Sequence, residues 1–265
     1  MSQAKVYCLS AEWLKEMLQN TVSEKQTVYS IYVEPLDQSG GVVLNPVKTR
    51  SASLIKIFIM IEAFRQKNDG ILSFSESVVI NQAVKVEGGS LFNVPDGTEK
   101  TIQELIERMI VESDNSATNI LIDKIGMHEI NATINHLGCQ DTVLQRKMLD
   151  FASAAAGREN YTSVKDVGIT LTKLYNQKCL DPKSDQAMLD ILARQEVNDR
   201  IPAYLPRDIR VAHKTGELDG ALHDCGIVYG RHRHFVLCFM TQQVGDESKV
   251  LGDMARMAKV IYDAL

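Results

Sequence analysis

The sequence predicts an α/β (α+β) fold in which an antiparallel five-stranded sheet is flanked by terminal helices and an all-helical lobe is inserted between its strands. Three observations carry that expectation. Two short β-branched or aromatic runs lie near the start, three period-two runs follow Pro206, and the stretch from about Ser53 to Arg194 keeps helical spacing almost throughout. The layout implied is an α/β lobe from 1–50 and 202–265 and a helical lobe from 51–201, joined as one discontinuous two-lobe unit. A chain of 265 residues has room for a core of that size.

Ser10 reads as the cap of an amphipathic helix with Trp13, Leu14, Met17 and Leu18 on one face. Val28 to Val33 is a strand, and Gly40-Gly41 and Asn45-Pro46 bracket a second, Val42-Val43-Leu44. Leu54, Ile57, Phe58, Ile61 and Phe64 follow at helical spacing. Ile55, Ile59 and Met60 occupy the other side, so this helix is expected to be buried nearly all round. Thr101-Ile102-Gln103-Glu104 is a capping box before Leu105, Ile106, Met109 and Ile110, and Gly126 and Gly138 are helix stops. Residues 140–162 carry no clear period, and a loop of that length in a compact domain is usually functional. A helix starting at Thr162 or Ser163 turns Val164, Val167, Leu171 and Leu174 inward. Val211 to Thr215, Cys225 to Tyr229 and Phe235 to Met240 are strands, and a helix bearing Leu251, Met254, Met257, Ala258 and Ile261 closes the chain.

Composition narrows the function classes. Lys plus Arg total 29 against 34 Asp plus Glu, a formal net charge of -5 without a long block of one sign, so nucleic acid is not expected as a partner. With 45% hydrophobic and 24% charged residues, neither disorder nor a membrane span is expected. The first 25 residues lack a cationic start followed by an apolar run, which points to a cytoplasmic location unless an export segment was trimmed. Cys8, Cys139, Cys179, Cys225 and Cys238 show no C-x-x-C spacing and read as reduced structural thiols. Cys225 and Cys238 are the exception to watch, because a hairpin turning near Arg231 to Arg233 places them on neighbouring strands. Arg231-His232-Arg233-His234 reads as exposed turn, and His213 and His223 lack a third ligand at zinc spacing. No metal or cofactor is expected.

Ser53-Leu54-Ile55-Lys56 opens the apolar helix, and its i to i+3 spacing puts a hydroxyl and an ammonium on one face. The pattern alone is weak, since Ser2-Gln3-Ala4-Lys5 repeats it where nothing suggests a site. Two further tripeptides strengthen it: Ser113-Asp114-Asn115 at the end of a capped helix and Lys214-Thr215-Gly216 at the end of a strand.

With these three signatures in this order, the sequence resembles the class A β-lactamases and related penicillin-recognising serine hydrolases. Gly89-Ser90-Leu91, Pro95-Asp96-Gly97-Thr98 and the run from Asp199-Arg200-Ile201-Pro202 to Leu205-Pro206 extend the similarity over most of the chain. The resemblance implies a β-lactamase/transpeptidase-like fold acting by an acyl-enzyme at Ser53. A serine hydroxyl is a poor nucleophile until a neighbour takes its proton, and Lys56 is the nearest candidate. At an ordinary pKa of about 10.4 almost no lysine is neutral at pH 7, so Lys56 needs a depressed pKa, from burial or from Lys214, or else it stays charged and only orients Ser53. Ser113 is placed to relay a proton to the leaving nitrogen. Asn115 has an amide able to bind both Lys56 and a substrate carbonyl, and Lys214 and Thr215 suit a substrate carboxylate. Gly216 lets a ligand approach the strand. The backbone N–H groups of Ser53 and Glu217 form the oxyanion hole that the resemblance implies, a role in which the Glu217 side chain need not matter.

One departure stands out. In class A β-lactamases a glutamate closely following an arginine on the long loop activates the water that hydrolyses the acyl-enzyme. Here the stretch is Leu144-Gln145-Arg146-Lys147-Met148-Leu149-Asp150, and alignment on Arg146 puts Met148 at that place. A thioether cannot deprotonate water. Asp150 substitutes only if the loop is rebuilt, and Glu159 is a weaker candidate expected to be solvated. The expectation is therefore a monomeric β-lactamase-like serine hydrolase acting on a small molecule, a β-lactam or a peptide with a carboxylate, with slow or unusual deacylation. The alternatives are a D-amino-acid peptidase or amidase and a non-turnover penicillin-binding sensor.

Overall fold

The computed structural model describes residues 9–38 and 40–265. Ser2, Lys5 and Cys8 therefore lie outside the described residues. Helix α1 (Ala11–Thr21) begins where the Ser10 hydroxyl accepts the Trp13 N–H at 3.1 Å. Strands β1 (Val28–Pro35) and β2 (Val42–Leu44) follow, then a two-residue strand β3 (Thr49–Arg50). A 3-10 turn over Ala52–Leu54 leads into α2 (Ile55–Asn68), and β4 (Ser77–Ile80) and β5 (Thr98–Thr101) form a small ladder. The helices α3 (Ile102–Val111), α4 (Asn115–Ile125) and α5 (Met127–His136) come next. The long connection contains α6 (Phe151–Ala155) and β6 (Tyr161–Thr162), and α7 (Val164–Tyr175) and α8 (Pro182–Leu192) follow it. Strands β7 (Val211–Leu218), β8 (Ala221–Tyr229) and β9 (His234–Gln242) and helix α9 (Glu247–Ala264) complete the chain.

The five-stranded sheet has the order β2-β1-β9-β8-β7 with every neighbouring pair antiparallel, so the chain's first hairpin and its last three strands make one sheet, as the period-two runs predict. Alternation along β9 sorts its two faces: Phe235, Leu237 and Phe239 pack with α1 and α9, while Val236, Cys238 and Met240 join the core of the helical region. Helix α2 threads that second core. Its residues from Ile55 to Phe64 are all buried, including the polar Lys56 and Glu62, and burial on all sides is what its unbroken apolar sequence requires. Glu62 is supported there by Arg65, Gln66 and Thr133.

Two details depart from the sequence reading. The helical region holds the β4–β5 ladder, and β6 from the loop pairs with β3 next to the start of α2. Both are too short or too polar for a period of two to register. The hairpin expectation for the cysteines is met in register, since Cys225 lies directly opposite Cys238, and both are free thiols. Among the described residues no helix is long and apolar enough to cross a membrane, and no group of three or more His, Cys, Asp or Glu is arranged to hold a metal.

Candidate active site

The turn that carries Ser53 is bound on both sides. The Ser51 N–H donates to the Asn160 carbonyl at 2.8 Å, and Ala52 takes a φ of 46°, a left-handed conformation costly for a side-chain-bearing residue. Ser53 lies in the 3-10 turn that leads into α2, with Lys56 one turn on. Strand β7 passes so close to this turn that a Cβ on Gly216 would lie 3.0 Å from Ala52 Cβ and 3.2 Å from Ser53 N. A glycine is needed there for contact between the two backbones.

Ser113 is likewise held at a positive φ, 59°, between α3 and α4. Asp114 caps α4 by accepting the Ala117 N–H at 2.8 Å and also takes the Leu91 N–H at 2.8 Å, which fixes the turn. Burial pushes its carboxyl above the usual range, with these two hydrogen bonds working against the rise. The turn presents three groups to one ammonium: Lys56 Nζ donates to the Ser113 carbonyl at 2.6 Å and to Asn115 Oδ1 at 2.8 Å and stands 3.2 Å from Ser113 Oγ. Lys214 Nζ approaches the same hydroxyl at 2.9 Å from the other side. Residues from α2, the α3–α4 turn and β7, distant in sequence, thus converge.

Both lysines are 0% exposed. Burial lowers the Lys56 pKa well below the lysine range and the neighbouring Lys214 charge lowers it further, while Asp114 opposes the shift. Lys214 falls to about 7, chiefly by burial, with Asp224 holding it up and Arg200 pressing it down. A neutral Lys56 can donate two protons to the Ser113 and Asn115 carbonyl oxygens and keep a lone pair for a hydroxyl proton. A single hydroxyl between two amines is satisfied when one donates to it and the other accepts from it.

Ser53, Asn115 and Glu217 line one cavity of about 100 Å³ together with Arg146, Met148, Leu149, Phe151, Glu159, Asn160 and Leu218. Met148 stands in this cavity, its backbone pinned by Asn119, whose Oδ1 accepts the Met148 N–H at 2.7 Å and whose Nδ2 donates to the Met148 carbonyl at 3.1 Å. Asp150 is not among the lining residues. Its carboxylate caps α6 through the Ser153 N–H at 2.9 Å, and its bonds to Ser153 hold its pKa below the usual carboxylate range. Glu159 does line the cavity and, against expectation, its side chain is only 14% exposed, because it is bound by Arg146 at 2.7 Å and by the Asn160 N–H at 2.7 Å. That pair closes the neck of the loop.

Four residues around the site have contacts that the sequence did not assign. Asn119 is one turn beyond Asn115 on the same face of α4, a spacing that offered a signal. Asn160 ties the loop to itself, accepting the Gln145 and Arg146 N–H groups at 2.7 and 3.0 Å. Arg200, buried behind the strand, donates to Glu217 Oε2 at 2.9 Å and to the His223 carbonyl at 3.3 Å, so the Glu217 side chain has a partner after all. His223 is the fourth. Arg200 stands in the run that extends the resemblance and His223 beside the Lys214 strand, but the sequence names the partners of neither.

Fold and site together define a class: a penicillin-recognising serine hydrolase architecture with its three signature segments in one cleft. The profile of the Beta-lactamase enzyme family matches residues 13–265, and the chain belongs to that family. It is 26% identical over 239 residues to the extended-spectrum beta-lactamase PER-1 of Pseudomonas aeruginosa, covering 81% of this chain and 74% of that one. Among solved structures, the beta-lactamase of Sphaerobacter thermophilus DSM 20745 superposes with a TM-score of 0.86 at 26% identity over 95% of each chain. PBP-A superposes with a TM-score of 0.86 at 24% identity over 96% of this chain and 95% of its own, a likeness of fold.

Proposed function

We propose that the protein is a serine β-lactamase-like hydrolase that opens β-lactams through an acyl-enzyme at Ser53 and releases the product slowly. The observation that carries this reading is that Ser53 shares its cavity with a thioether, Met148, while the buried Lys56 one turn on, its pKa depressed, is bound to Asn115 of the same cavity. In acylation, neutral Lys56 takes the Ser53 proton as Oγ bonds to the lactam carbonyl carbon. The negative oxygen that develops is received by the Ser53 and Glu217 N–H groups. Ser113 passes its proton to the ring nitrogen as the C–N bond breaks and recovers one from Lys56. Lys214 and Thr215 hold the substrate carboxylate, and Asn115 orients Lys56 and the substrate amide.

Deacylation needs a base for water. Met148 cannot serve, and the Asp150 and Glu159 carboxylates are committed to a helix cap and to Arg146. Losing a positioned general base costs about 10² to 10⁴-fold in rate. Intact-mass measurement after penicillin exposure tests the reading: one persistent adduct, absent in Ser53→Ala, is expected, and no adduct, or one surviving that substitution, overturns it.

The carboxylate-poor loop also favours a second reading, a peptidase or amidase acting on D-amino-acid peptides. A chromogenic cephalosporin assay beside a D-Ala-D-Ala release assay separates the two. A single stoichiometric burst in the first and nothing in the second identifies a sensor that does not turn over.

A further inference from the structure

His223 lies behind the cleft and takes no part in the steps above. It is 0% exposed and sits on β8 directly opposite Gly216, with its Cδ2 3.4 Å from where a Gly216 Cβ would be. Both ring nitrogens are engaged. Nε2 is 2.9 Å from the Arg50 carbonyl, and the Thr241 N–H points at Nδ1 from 3.2 Å. A carbonyl only accepts and an amide N–H only donates, so the ring is the neutral tautomer with its proton on Nε2. Burial agrees, lowering its pKa to about 4. The Thr241 hydroxyl closes the same end of the sheet, accepting the Leu222 N–H at 2.9 Å and donating to the Leu222 carbonyl at 2.7 Å. The imidazole therefore bridges the backbone of β9 to the backbone entering the Ser53 turn.

That turn is tethered from the loop and from the sheet: β3 pairs with β6, and the Arg50 guanidinium donates to the Asp219 carbonyl at 2.7 Å. Asn160 holds Ser51 from the loop side, and His223 holds Arg50 from the sheet side. The sheet side matters because Gly216 and Glu217 belong to it. We infer that His223 is a positioning residue that sets the separation of the Ser53 and Glu217 N–H groups by tying the Arg50 carbonyl to the sheet. This rests on the acyl-enzyme reading, in which those two donors receive the developing oxyanion. A misplacement of about 1 Å at such a centre costs about 10²-fold in rate.

Three substitutions test the bridge. In His223→Gln the amide nitrogen reaches the place of Nε2 and keeps a donor for Arg50. In His223→Asn the amide oxygen keeps the acceptor near Nδ1 but no donor reaches Arg50, and His223→Leu keeps neither. Single-turnover acylation by a penicillin gives the non-covalent Kd and the acylation rate constant separately, and thermal melting reports folding. The expected result is an acylation rate for Gln close to the parent, a fall of about 10²-fold for Asn and Leu, and an unchanged Kd throughout. Asn matching Gln, or all three matching the parent, overturns the inference.

Nitrogen-15 spectra of the parent imidazole supply a readout that needs no variant to fold. A proton on Nε2 and none on Nδ1 at pH 7 is expected, and the opposite tautomer or a charged ring overturns the bridge. A parent that forms no adduct with penicillin defeats the acyl-enzyme reading instead, while the spectra still judge the bridge.

Discussion

The floor of the cleft and the loop over it use similar polar residues in opposite ways. On the floor, Lys56 and Lys214 are withdrawn from water and face each other across one hydroxyl with no carboxylate hydrogen-bonded to either. On the loop, the charged side chains near the cavity are paired: Asp150 has a helix end, Glu159 has Arg146, and Lys147 reaches out to Asp123 on α4. Burial without a hydrogen-bonded counter-charge shifts a lysine toward its neutral form, whereas direct pairing holds a charge in place. The floor is built to move protons and the loop is built to hold its shape. On the proposed function, acylation would draw on the floor, while the loop would leave deacylation without a free base.

The contrast can be broken most severely at the nucleophile. Ser53→Ala is expected to abolish the penicillin adduct seen by intact mass, a loss of about 10⁶-fold if residual turnover can be measured at all. Lys56→Met removes the base while keeping the length of the side chain, and stopped-flow acylation is expected to slow by about 10² to 10⁴-fold. A rate within tenfold of the parent would assign the proton to another acceptor.

Met148→Glu sharpens the comparison from the loop side. The Asn119 clamp holds the backbone there, so the new carboxylate enters the cavity occupied by the thioether, and steady-state release of a chromogenic cephalosporin is expected to rise by about 10²-fold. An adduct with an unchanged lifetime would show that the missing base is not what limits release.

The smallest effect concerns pH. Lys214, with a pKa of about 7, loses its charge as pH rises through neutrality. The second-order acylation rate constant for a carboxylated β-lactam is expected to fall about tenfold from pH 6 to pH 9, as a charge-assisted contact is lost. Lys214→Arg keeps its charge over that range and is expected to flatten the profile. A parent profile already flat would remove Lys214 from carboxylate binding.

The main sheet, the terminal helices and the convergence of Ser53, Lys56, Ser113, Asn115 and Lys214 were legible because strong periodicity and three short signatures carry them. Strands β3 and β6 were not, since two residues cannot show a period. For Arg200 and His223 it was the partners that stayed hidden, since backbone groups and a neighbouring strand are not named by a linear pattern. Glu159 was misjudged as solvated because its burial depends on Arg146, thirteen residues earlier, closing the loop on itself.

The pairing of β1 with β9 has a consequence for how the protein is made. Val28 meets Gln242 and Pro35 meets Phe235, so the middle of the sheet joins the two ends of the chain. On the ribosome, β1 has no long partner until β9 has also emerged. The helical segments can assemble first, but the strand that brings Lys214 to Ser113 gains its support last. Folding of this kind, governed by contacts distant in sequence, is slow and exposes unpaired strand edges on the way. Nascent chains stopped before Phe235 leave both β1 and β8 without their β9 partner however well their helices form.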